Sequence, residues 1–106
     1  MEKIFYDFEV FKYDWLVVFK NYNNKEKTVV INDVSKLKSF YENNKNNVFI
    51  GYNNRIYDQF ILKGLLLGYN AFDLSKQIVE EDLKGQSIIK NSNSIPLITF
   101  DLSNKL

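Results

Sequence analysis

The chain contains neither cysteine nor histidine. Without thiols there is no disulfide frame and no thiolate chemistry, and without either residue the usual zinc sites are excluded, so any metal here must be held by oxygen. The lack of histidine also removes the commonest general base and with it Ser–His nucleophile activation. Arginine occurs once and the formal net charge is +1. That is too close to neutral for coating a polyanion by overall charge, so contact with nucleic acid would need a localised site. No apolar run approaches the ~20 residues that span a bilayer, and Met1-Glu2-Lys3 leads straight into strand-like residues with none of the zones of a signal peptide. A soluble, intracellular (cytoplasmic) protein without membrane contact is expected.

What is present is a chain of 106 residues, 45% hydrophobic and 16% aromatic, which suits one packed domain over residues 1–106 with a single core. It opens on Ile4-Phe5-Tyr6-Asp7-Phe8-Glu9-Val10-Phe11. Side chains alternate faces along a strand, so Ile4, Tyr6, Phe8 and Val10 share one face while Asp7 and Glu9 share the other. Two carboxylates this close within a hydrophobic strand cost several kcal/mol per ion unless compensated, and a divalent cation held by oxygen is the usual compensation. The plainer alternative is a wet face on which both acids are solvated.

The rest of the chain arranges itself around that strand. Trp15-Leu16-Val17-Val18-Phe19 is apolar on both faces, as in a strand covered on both sides, and Thr28-Val29-Val30-Ile31 is β-branched, so three antiparallel strands open the domain. Asn32 or Asp33 caps a helix carrying Val34, Leu37, Phe40 and Tyr41 at helical spacing. The apolar stretch from Val48 to Tyr52 reads as a fourth strand, parallel to the first because a helical crossover precedes it. A second helix runs from Gln59 to about Leu67, closed by Gly68 and with almost no polar face. A third is expected from Asp73 to Leu83, then a loop from Gly85 to Ser94, then a fifth strand from Pro96 to Asp101. The expected class is α/β, a five-stranded mixed sheet in the order 3-2-1-4-5 with flanking helices. Asp58 then falls just after the fourth strand, at the sheet end where Asp7 and Glu9 lie and where open α/β sheets collect ligands.

Asp7-x-Glu9 and Asn53-x-x-x-Tyr57-Asp58, roughly 50 residues apart, resemble motifs I and II of the DEDD 3′–5′ exonucleases, the proofreading domains of phage-type DNA polymerases, which have a ribonuclease H-like fold. The resemblance implies a two-metal phosphodiesterase in which Asp7, Glu9 and Asp58 are the catalytic carboxylates and hold Mg²⁺ or Mn²⁺, with Phe8, Asn53 and Tyr57 on the substrate side. The family's third motif, Tyr-x-x-x-Asp or His-x-x-x-x-Asp on a late helix, has no counterpart here. Asp101 stands where family members carry an Asp that is not a metal ligand. The resemblance thus describes a C-terminally truncated exonuclease-like domain with an incomplete site.

Two functions follow as expectations, beside the blander reading of an excised or degenerate DNA polymerase fragment with no independent role. One is an inactive relative acting as a binding or inhibitory protein on nucleic acid or on a host antiviral, CRISPR-type nucleoprotein, in the host cytoplasm if phage-borne. The other is an active Mg- or Mn-dependent exonuclease completed by Asp101 or by a second subunit. Because the second helix is apolar nearly all round, it is expected to be uncovered within the chain and to bind a second copy or another protein through Ile61, Leu65 and Leu66.

Overall fold

Alternation of burial along the first strand sets the architecture. The computed structural model describes residues 1–52, 57–81, 84–89 and 91–102, the side chains of 86 and 87 excepted. In β1 (Lys3–Val10), Ile4, Tyr6 and Phe8 are buried while Asp7 and Glu9 are exposed. β1 pairs antiparallel with β2 (Trp15–Asn21), and β2 with β3 (Lys27–Ile31). The β2–β3 turn is built by Asn21, whose carboxamide oxygen accepts the N–H groups of Asn23 and Asn24, and by Lys25 in the left-handed region at φ 66°. Asn32, also left-handed at φ 54°, takes the Trp15 N–H on its side chain and donates to Asp14, tying the end of β3 to the β1–β2 turn.

Asp33 then caps α1 (Val34–Asn44) by accepting the Lys36 N–H. The crossover delivers β4 (Val48–Gly51) parallel to β1. Next come α2 (Gln59–Leu66), α3 (Ala71–Val79), the short α4 (Gly85–Ile88) and a single 3₁₀ turn, Ser92–Ser94. β5 (Ile98–Asp101) closes the sheet, parallel to β4, in the order β3-β2-β1-β4-β5. β1 is therefore central and the sheet is mixed, as its connections predict.

The elements differ from expectation in instructive ways. α3 starts at Ala71 because Asn70 caps it through the Asp73 N–H, and it ends at Val79; the expected end at Leu83 lies outside the described residues. The stretch expected as a loop carries α4 and the 3₁₀ turn. β5 begins only at Ile98, since Pro96 has no N–H for the ladder and its carbonyl instead accepts the Tyr41 hydroxyl at 2.6 Å.

One sheet face holds the core. Tyr6, Val17, Phe19 and Phe49 meet Leu37 of α1, Ile61, Leu62 and Leu65 of α2, Leu74 of α3 and Ile89. Phe19 stacks on Phe40 with ring centroids 4.0 Å apart, and Phe49 sets its edge against Tyr6 at 5.5 Å. This corrects the expectation that α2 is uncovered. Ile61 is 0% and Leu65 4% exposed, Leu66 packs half-buried against the same core, and α3, α1 and the 3₁₀ turn pack on α2. Ile61 and Leu65 are internal packing, and Leu66 is packed against the core on one side only. The other face was expected to be covered at β2, but Leu16 and Val18 are only half-buried and Val29, Ile31, Ile98 and Phe100 are exposed. Among the described residues no helix is long and apolar enough to cross a membrane.

Candidate acidic site

Three carboxyl groups belong to the C-terminal ends of the parallel strands or the turn that follows, the position at which open α/β sheets bind ligands. Asp7 is exposed on the open face of β1, Asp58 precedes α2, and Asp101 is the last residue of β5, in register with Gly51 of β4. Asp58 has helical backbone angles (φ −56°, ψ −43°) and makes no side-chain cap to α2. Its carboxylate turns to β1 instead. β4 pairs with β1 only as far as Phe5, so the Phe8 N–H faces the space past the end of β4, and Asp58 Oδ1 accepts it at 3.1 Å. A backbone donor left there without a partner would be costly, which gives Asp58 a structural duty.

Asp58 is 3% exposed. Burial pushes its carboxyl up to about 6; the Phe8 N–H opposes this, and the charges of Asp7 and Asp101 reinforce it. The Tyr6 hydroxyl, buried on the core side, is raised well above its ordinary range by burial and then by the same Asp58 and Asp101 charges. The Tyr57 hydroxyl lies 2.8 Å from Ser75 Oγ, and burial raises it too, offset by that hydrogen bond and supported by Asp58 and Asp7.

Asp7 and Asp101 each act on Asp58 through their charge, while Glu9 is exposed farther along β1. Among the described residues no three His, Cys, Asp or Glu side chains are grouped to hold a metal ion. Of the expected substrate-side residues, Phe8 is 4% exposed with its ring in the core beside Tyr6 and Trp15, Tyr57 is half-buried against the core, and Asn53 lies outside the described residues.

A feature missed by motif reasoning lies beside Asp7. Phe5, Lys20, Ile50 and Tyr52 line, with Asp7, an open depression of about 440 Å³ on the uncovered face. The signal was available in the period of two, which puts residues 5 and 7 on one face of β1 and residues 18 and 20 on the same face of β2. Compared with protein-family models, with curated proteins and with solved structures, the chain matches none.

Proposed function

We propose that the chain is a ribonuclease H-like relative of the DEDD 3′–5′ exonucleases that binds its target instead of cutting it, the target being nucleic acid or a host antiviral nucleoprotein. The observation that carries this reading is the state of Asp58. Its carboxyl is buried, engaged by the Phe8 N–H, and held up to about 6. A buried carboxyl whose oxygen completes a backbone donor of β1 has a role in the fold that needs no ion, which supports the binding reading. The placement of Asp7 and Asp58 at the carboxyl ends of adjacent parallel strands supports the family likeness.

A second reading, an active Mg- or Mn-dependent exonuclease, draws on Asp101, which is buried and whose charge bears on Asp58. The experiment that separates the two is digestion of 5′-labelled single-stranded DNA and RNA in millimolar Mg²⁺ or Mn²⁺, alongside an Asp7→Ala variant. The binding reading expects intact substrate with both proteins. Stepwise shortening from the 3′ end that Asp7→Ala abolishes would replace it with the catalytic one.

A further inference from the structure

The acidic site accounts for one end of the uncovered sheet face and leaves the other unexplained. At that other end the register builds a basic row: Lys27 on β3 stands opposite Lys20 on β2, Lys20 opposite Phe5 on β1, and Phe5 beside Ile50 on β4. A second row follows, because the Tyr22 N–H donates to the Lys3 carbonyl at 2.8 Å and so extends the β1–β2 pairing. The Tyr22 ring lies 6.0 Å from that of Phe5, with the ammonium groups of Lys25 and Lys3 over it at 4.2 and 5.7 Å. Lys3, Lys20, Lys25 and Lys27 are all exposed, and among the described residues the ion pair formed is Lys45–Glu42, elsewhere. Like charges directly opposite on one sheet face, as Lys20 and Lys27 are, destabilise a sheet. Their concentration here, in a chain whose net charge is only +1, is the localised site that contact with a polyanion requires.

We propose that this half of the open face binds single-stranded nucleic acid, with Lys3, Lys20, Lys25 and Lys27 taking phosphates and Tyr22 and Phe5 meeting bases. Aromatic rings among lysines on an open sheet are a stacking platform beside an electrostatic track, and sequence-tolerant stacking of this kind needs bases that a duplex keeps hidden. The 440 Å³ depression bounded by Phe5, Lys20, Ile50 and Tyr52 gives a base somewhere to sit, and Asp7 at its margin repels phosphate, keeping the backbone on the lysine rows. A second copy packed on this face fits less well, because the strands present Asp7 and Glu9 there against Lys3, Lys20 and Lys27. The inference does not depend on the exonuclease reading, since it uses neither Asp58 nor a metal.

The test is fluorescence anisotropy of a labelled short oligothymidylate in EDTA, across a salt series, with light scattering on the same samples. The wild-type slope of log affinity against log salt should approach roughly −3, about 0.7 for each of the four lysines. Lys20→Gln/Lys27→Gln should cut that slope by about 1.4, and Tyr22→Ala should weaken binding about tenfold without changing it. Circular dichroism confirms that each variant is folded. Lack of binding in EDTA, or binding that the double variant leaves untouched, overturns the proposal. Binding that appears only with Mg²⁺ and vanishes in Asp7→Asn would also overturn it, placing the strand at the carboxylates and leaving the exonuclease likeness standing. A dimer that Lys20→Glu/Lys27→Glu dissolves, with no nucleic-acid binding, would assign the face to a second copy instead.

Discussion

Replacing Asp58 by Asn should stabilise the protein at neutral pH, although it alters a buried hydrogen-bonding residue. Asp58 is 3% exposed and its carboxyl is raised by burial from 3.8 to about 6. Between those two values the folded protein keeps a proton that the unfolded chain has released, so stability declines as pH rises through that window and remains low above it. The gap corresponds to an upper bound of about 3 kcal/mol at roughly 1.4 kcal/mol per pKa unit. Asn keeps an oxygen that accepts the Phe8 N–H and carries no charge, so it retains the structural duty and removes the cost. Urea unfolding followed by the fluorescence of Trp15, which is buried, reads the result: Asp58→Asn more stable by about 1–3 kcal/mol at pH 8, and within about 0.5 kcal/mol of wild type at pH 4. A variant less stable than wild type at pH 8, or one with an unchanged pH dependence, would refute the reasoning. A Mg²⁺ arm adds discrimination, because an ion held by this carboxyl would stabilise the wild type by mass action and not the variant.

Gly85→Ala should cost about 1–3 kcal/mol, because its new methyl group would fall against the Phe60 ring at the start of α4; calorimetry showing an unchanged Tm would contradict that packing. Tyr41→Phe removes the hydroxyl that holds α1 to the Pro96 carbonyl and should cost about 0.5–1.5 kcal/mol, read from the urea midpoint. Asp33→Ala should lose about 1 kcal/mol with the α1 cap, and Asp33→Ser should recover most of it in the same assay.

The sheet was legible because its signals are local. A period of two put Ile4, Tyr6 and Phe8 on the core side, and an intervening helix made β4 parallel to β1. The cover over α2 was not legible. Its apolar circumference showed that something must bury it, but beside α3 part of the cover sits in a stretch whose Asn and Ser content reads as loop, with Ile88 and Ile89 hidden among polar neighbours. Leu16 and Val18 failed in the opposite direction. An apolar run on both faces suggested a strand covered twice, yet the helices gather on one side, and that choice is made by docking between elements distant in the chain.

The acidic site divides along the same line. That Asp7 and Asp58 approach each other follows from topology alone, because one is on β1 and the other leaves the end of its parallel neighbour. What Asp58 does there depends on where β4 stops. Had the β1–β4 ladder continued to Phe8, that N–H could have met a strand carbonyl instead of the carboxylate. Pairing ends at Phe5, the donor is left open, and the buried acid completes it. A motif fixes the spacing of its acids in sequence, but the backbone donor that competes for one of them depends on the length of a neighbouring strand. The same two letters can therefore belong to a metal site in one sheet and to a structural hydrogen bond in another.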